Sequence, residues 1–508
     1  MTRRLTDKLQ ISGYRLLVQR IEQGLISRDV RGFASPFSKQ GQAFAIGLGL
    51  GGLILVAALL MSVLRPAALS GDAKILGTSS GSRYVVSDGV VHPVTNLASA
   101  RLIAGTPADT KIVKDSEIDK FPRGMLMGIP SAPDAMIARG DDVSRWAVCS
   151  QYDAQSELSL TSSTQARTIV VTGDDTITPN TRIGDGTALL LSAARPVDGS
   201  AASTASPSIW LLYKGKRLAV DTSAYSLKTT LRINDEQIDK AVPVTEDFIN
   251  SIPERTPFTR PTIANDGAVS TALNRQRVGS VATTDGPDGT DHWLILDNGV
   301  EKIGPFVANL MTNSGAPTTD DVTATEMASV PQRSDFDFSE FPWETPTVDH
   351  TSSTVCYDWS RRGDADADGQ FHAGPSVPLT ADQRADATAF LPARNTTPQA
   401  DYFYTTPGKG WLVSATGQPE SSRTEGQLWW VADNGIRYAI GATADAPINR
   451  VLETLGLNPT HPPNRVPWSI LQLLPQGNTL SPDAARVVHA NIPPEMAQAP
   501  APPAPEIN

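Results

Sequence analysis

Apolar and polar positions alternate along this chain in three rhythms, and each predicts a different kind of element. Within residues 1–42, Tyr14, Leu17, Val18, Ile21 and Leu25 recur at intervals of three and four, with Arg15, Gln19, Arg20 and Glu22 mostly on other faces. That period predicts an amphipathic helix with an apolar stripe and no core of its own. Residues 43–64, AFAIGLGLGGLILVAALLMSVL, form a run of 22 uncharged, mostly apolar positions between Lys39 and Arg65. As a helix the run would be roughly 33 Å long, enough to cross a bilayer, and the sequence holds no second run like it.

The third rhythm is a short pattern that occurs four times: RYVVSDGVVHPV around Gly89, WLLYKGKRLAV around Gly215, WLILDNGVEKI around Gly299 and WWVADNGIRYAI around Gly435. Each predicts a β-hairpin, in which an aromatic-led apolar strand enters a glycine turn that tolerates positive φ and a second strand returns. A helix is expected after the first, third and fourth, starting near Asn96, Phe306 and Ile448. The turn glycines are 126, 84 and 136 residues apart, which excludes a propeller or solenoid of short regular period. Two readings stay open: four divergent small modules, or four unrelated hairpins that share only turn chemistry. On the first reading the modules occupy 72–130, 205–260, 280–335 and 426–482, and 131–200 and 340–425 supply a central domain. Residues 491–508 are a Pro/Ala-rich tail with too little apolar surface to fold.

Charge gives the apolar run a direction. Residues 1–42 carry eight Lys/Arg against three acids, so this arm is expected on the cytoplasmic side. Because the whole chain is −11 and the arm is +5, the remainder carries −16, an acidic body outside the cytoplasm that argues against nucleic acid as a partner. A cleaved signal peptide is the rival reading, with Ala68-Leu69-Ser70 as its site, but the basic region is long and the apolar run exceeds the usual length. Gly47 and Gly51, with Gly49 and Gly52, offer a small-residue face for packing against other membrane helices; alternatively, glycine is simply frequent in such spans. The amphipathic arm either lies on the inner leaflet or docks a cytoplasmic partner through Tyr14, Leu17, Val18, Ile21 and Leu25, and its interspersed acids favour docking.

The 39 Gly and 39 Pro favour strands and turns. The expected fold class is therefore a single-pass membrane protein: a short N-terminal amphipathic helix, one transmembrane helix, and a large mixed α+β, mainly β, external region of four hairpin modules around a central domain. The two cysteines, Cys149 and Cys356, both fall on the oxidising side, which leaves a disulfide or two unrelated buried thiols. Without a CxxC spacing they suggest neither zinc nor thioredoxin chemistry.

Catalytic motifs match by letter and fail by context. The GxGxxG of Gly47 to Gly52 lies inside the apolar run, and the GxSxG of Gly77 to Gly81 precedes a predicted strand where a nucleophile elbow needs a helix. Asp364, Asp366, Asp368 and Gly369 resemble the start of a calcium loop, but its twelfth position is Pro375 instead of the bidentate acid. No GxxxxGK[ST] occurs, and the six histidines show no HExxH. No catalytic, cofactor-binding or metal-binding residue is assigned, and no cofactor is expected.

An ordered series of segments carries a family resemblance: QISGYRLLVQR from Gln10, the single apolar run, HPVTNLASARLI from His92, FPRGMLMGIPSAP from Phe121, WAVC ending at Cys149, FINSIPE from Phe248, LWWVADNGIRYAI from Leu428 and LLPQGNTLS from Leu473. With these the chain resembles the EccB component of actinobacterial type VII (ESX) secretion systems. The resemblance implies an inner-membrane structural subunit with its large domain in the periplasm, assembling with the EccC motor ATPase, EccD, EccE and mycosin protease, and with copies of itself in a six-fold complex that secreted ESX substrates traverse. It implies repeat domains similar to a cell-wall-binding module around a central domain, and Cys149 and Cys356 as a disulfide pair. Some family members are described as ATPases, which gives one alternative; a peptidoglycan-binding membrane anchor is the other.

Overall fold

The computed structural model describes residues 8–27, 44–56, 74–134, 136–140, 142–152, 166–173, 182–194, 208–286, 289–391 and 398–489. The chain forms two compact units, residues 1–72 and 73–508. In the first, a helix spans Lys8–Ser27 and another covers 44–56. The second helix is thus described over part of the apolar run, and 57–64 lie outside the described residues, as does the 491–508 tail. Among the described residues no helix is long and apolar enough to cross a membrane.

Among the described residues the larger unit contains five sheets, and four of them follow one progression. In the first, strands Ile75–Gly77, Arg83–Ser87 and Val90–Pro93 form an antiparallel meander, helix Leu97–Ala104 crosses over, and Lys111–Ile112 returns parallel to the lead strand before helix Asp115–Ile118. A parallel return requires such a crossover, because a tight turn only reverses direction. The second unit runs Thr187–Ala194, Ser208–Tyr213, Lys216–Ala219, helix Tyr225–Leu231, then Val242–Thr245 parallel to its lead strand and helix Glu246–Ser251. The third runs Val281–Gly286, Gly289–Leu296, Gly299–Ile303, helix Pro305–Asn313, Thr318–Thr319 and helix Ala324–Ser329. The fourth runs Trp411–Thr416, Leu428–Val431, Arg437–Ala439, helix Ile448–Leu455, Asn464–Pro467 and helix Trp468–Leu471.

Each unit then closes with the same backbone clamp. The amides of Val91, Arg217, Val300 and Arg437 each donate at 2.9 Å to a proline carbonyl, of Pro122, Pro253, Pro331 and Pro475 respectively. The residue two beyond each proline donates back: Gly124, Arg255, Arg333 and Gly477. The clamp covers the outer edge of each hairpin, which would otherwise present unpaired backbone groups.

Two features depart from the sequence reading. The lead strands Thr187–Ala194 and Trp411–Thr416 sit where central-domain segments are expected, because each pairs with a hairpin more than ten residues further along the chain and leaves no local signal. The second unit also has its helix, Tyr225–Leu231, which the sequence reading did not place; it starts at Ala224 without a side-chain cap, as do the helices of the third and fourth units, whereas Asn96 caps the first unit's helix by accepting from the Ser99 amide. The turns differ as well. Asp88-Gly89 and Lys214-Gly215 both take positive φ, as a two-residue hairpin loop demands. Gly299 does not; there a Cβ would collide with the Pro331 carbonyl oxygen, so glycine serves the clamp instead of the turn.

The fifth, six-stranded sheet runs in the order Asp368–Gly374, Thr354–Arg362, Val143–Gln151, Arg167–Thr172, Tyr402–Tyr404 and Thr388–Ala389. Cys149 and Cys356 lie opposite each other on two adjacent inner strands, Val143–Gln151 and Thr354–Arg362, and form a disulfide. Trp146, Val148 and Tyr357 on this sheet share a core with Leu191 and Phe248 of the second unit and Trp411 and Val413 of the fourth. Two further cores join units in pairs through their crossover helices. Leu102 meets Leu452 and Leu455 between the first and fourth units, and Leu227 and Leu231 meet Phe306 and Leu310 between the second and third.

Candidate functional site

On helix Lys8–Ser27 the predicted stripe is fully formed and open. Tyr14, Leu17, Val18, Ile21 and Leu25, joined by Ile11, lie within one face, with Tyr14 72% and Leu17 57% exposed. Burying each such side chain against a partner would gain about 1.5 to 3 kcal/mol. In the helix over 44–56, a Cβ built on Gly47 or Gly51 meets nothing within 4 Å. Both positions therefore admit the close approach of another helix.

The structure disperses the letter-matched motifs. Gly77 ends one strand and Arg83 begins the next, so Ser79 sits in a strand-to-strand turn with no helix behind it. Asp364 is ion-paired with Arg465, Asp366 with Arg423 at 2.8 Å, and Asp368 accepts from Gln370 Nε2 at 2.6 Å. The three carboxylates face three separate partners. Among the described residues no group of three or more His, Cys, Asp and Glu is placed to hold a metal ion.

Instead the folded body holds charges in pairings that sequence reading missed, and Arg217, Arg437, Asp358 and His372 among them are largely buried. In every unit a cation lies over the aromatic ring of the hairpin's leading strand: Arg123 over Tyr84, Arg217 over Trp210 at 4.7 Å, Lys302 over Trp293, and Arg437 over Trp429 at 4.6 Å. Arg437 is also 4.9 Å from Trp468 and donates its Nε to the Leu474 carbonyl at 2.8 Å; burial pulls its pKa down to about 10. The leading aromatic was visible in all four patterns, but its cation arrives from a different strand or the clamp, so only the pairing reveals it. In the central sheet, Asp358 and His372 stand 3.8 Å apart between carboxylate and imidazole. Burial pushes the Asp358 carboxyl up to about 6, while burial, with Arg182 nearby, pulls His372 down to about 4. These groups tune a framework; none is arranged as a nucleophile with its base.

Comparison with known proteins gives a consistent picture. The family model described as "Type VII secretion system ESX-1, transport TM domain B" matches residues 3–494. The chain is 29% identical over 506 residues to "ESX-5 secretion system ATPase EccB5" of Mycobacterium marinum, covering 97% of this chain and 96% of that one. It is 30% identical over 492 residues to "ESX-3 secretion system ATPase EccB3" of Mycolicibacterium smegmatis, covering 94% and 90%. Among solved structures it is similar to a chain of an intact ESX-5 inner membrane complex, with a TM-score of 0.70, 26% identity and 99% of both chains covered. It is also similar to the EccB3 dimer from the ESX-3 core complex, with a TM-score of 0.67, 27% identity, and 82% of this chain and all of that one covered.

Proposed function

This chain belongs to the EccB family of type VII secretion subunits, and from that membership we propose that it is a structural subunit of an ESX inner membrane complex, with residues 73–490 contributing to its periplasmic assembly. The observation that carries the reading is the likeness over 99% of the chain to a subunit of an intact ESX-5 inner membrane complex. In this account the 43–64 run crosses the membrane once, the arm lies in the cytoplasm, and Gly47 and Gly51 pack the span against neighbouring membrane helices. Tyr14, Leu17, Val18, Ile21 and Leu25 dock the arm onto cytoplasmic subunits, and EccC, EccD, EccE and mycosin are the expected company. The common strand order and clamp support treating the four sheets as repeats of one module, with the central sheet as their joint.

The relatives' names include the word ATPase, which supports a second reading as an ATP hydrolase. Against it, Lys216 and Lys409 each follow glycine, but neither is followed by Ser or Thr and no GxxxxGK[ST] occurs in the chain. We assign ATP turnover to the motor subunit. The arm's role is tested by Leu17→Glu with Ile21→Glu, followed by native-gel sizing of detergent-solubilised membranes. Loss of the large complex with the chain still present in the membrane is the expected result. An intact complex would overturn the docking face.

A further inference from the structure

At the end of the central strand Thr354–Arg362, next to the fourth unit, a cleft of about 350 Å³ opens between Arg361, Arg362 and the loop that begins at His461. Its charges are unevenly matched. Arg465 holds both Asp364 and, at 2.7 Å, Glu425, and Arg423 holds Asp366 at 2.8 Å. Asp364 and Asp366, the acids that act on Arg361, are therefore already committed to other guanidinium groups. Arg361 is 3% exposed and makes one hydrogen bond, from Nη1 to the Ser422 carbonyl at 2.7 Å; its Nε and Nη2 are buried with no partner. Burial, with Arg465 and Arg423 close by, pulls its pKa down.

A buried cation without a counter-charge weakens a fold unless something completes it, and here the open volume lies against the residue that lacks a partner. Arg362 and His461 add donors to the same cleft. Its size is at the lower end of the range for small-molecule sites, suited to one charged group with a short tail. We propose that this cleft binds a small oxyanion, a carboxylate or phosphate group, with Arg361 as its counter-charge and Arg362 as a second contact. The planar guanidinium offers Nε and Nη2 as a fork for two oxygens, once the side chain turns them toward the cleft. Asp142 on the rim limits the site to ligands of low charge.

The test uses the full-length protein in detergent, titrated calorimetrically with sodium phosphate and, separately, sodium acetate, against sodium chloride at matched ionic strength. At least one of the two oxyanions is expected to bind, and which one does so identifies the chemistry. Arg361→Gln should weaken that binding at least about tenfold, the loss of one charged hydrogen-bonding group. Arg362→Gln, at an exposed position that leaves the fold intact, should weaken it by a smaller factor. Absence of heat beyond the chloride control overturns the proposal, as does unchanged affinity in Arg361→Gln. Should Arg361→Gln fail to fold, unchanged affinity in Arg362→Gln overturns it.

Discussion

The second and third units form a pair, and so do the first and fourth, yet the two pairs are held by different forces. The inner pair is contiguous in sequence and is centred on aromatic rings: Phe258 lies 5.2 Å from Phe306 and 5.1 Å from Phe341, with the Arg255 guanidinium over it at 4.5 Å. The outer pair joins opposite ends of the chain, and directional bonds fix its register. Tyr438 donates its hydroxyl to the Ser131 carbonyl, Asn478 Nδ2 to Pro130 at 3.2 Å, and Arg101 Nη1 to Leu455 at 3.0 Å, while Met127 bridges to Val488. Contiguous units can collapse together locally, whereas units separated by some 300 residues must first close a long loop. The shared frame resides in backbone pairing and the proline clamp, so side chains have been free to diverge between the pairs.

The largest test of this contrast removes the staple between them. The disulfide closes a sequence separation of 207 residues that contains the whole inner pair. Replacing Cys149 and Cys356 by Ala should cost up to about 5 kcal/mol in urea unfolding, with amide exchange in the outer pair rising before that in the inner pair. Uniform acceleration in both pairs would remove the distinction. Next, Phe306→Ala should cost about 3 to 5 kcal/mol, because the ring is fully buried at the centre of the inner pair.

A pH experiment probes the sheet between the pairs. Asp358, raised to about 6 against an unfolded value near 3.9, adds stability as pH falls from 6 toward 4, by about 3 kcal/mol. His372, lowered to about 4 against about 6.5, loses a similar amount, about 3 kcal/mol, as pH falls from 6.5 toward 4. In the wild type the two nearly cancel. Asp358→Asn should expose the histidine's slope, so that stability relative to wild type declines toward pH 4; parallel curves would contradict the assignment. The smallest effect is expected from Tyr438→Phe, about 1 kcal/mol for one hydrogen bond in the outer pair. A cost matching that of Phe306→Ala would erase the difference in how the pairs are held.

Legibility in the sequence followed the distance over which each feature is encoded. The stripe of Tyr14 to Leu25 and the turns at Gly89, Gly215 and Gly435 depend on neighbours a few residues away, and both could be read directly. The lead strands Thr187–Ala194 and Trp411–Thr416 could not, since their partners begin more than ten residues further along the chain. The clamps at Pro122, Pro253, Pro331 and Pro475 had a signal, an apolar residue followed by proline some 30 to 40 positions after each turn glycine, which emerges only once the hairpins are aligned. Arg361 had none: strand alternation permits it to turn inward and Arg362 outward, but only the packing of the fourth unit shows that Asp364, Asp366 and Glu425 are taken by Arg465 and Arg423.

The most direct test of the scaffold account is native electrophoresis of mildly solubilised membranes, with mass spectrometry of the bands, in cells that contain or lack the EccC-type motor. Co-migration of this chain with EccC, EccD and EccE in one very large complex, lost or reduced without the motor, is the predicted result. A small band of this chain alone, unchanged whether or not the motor is present, would contradict it.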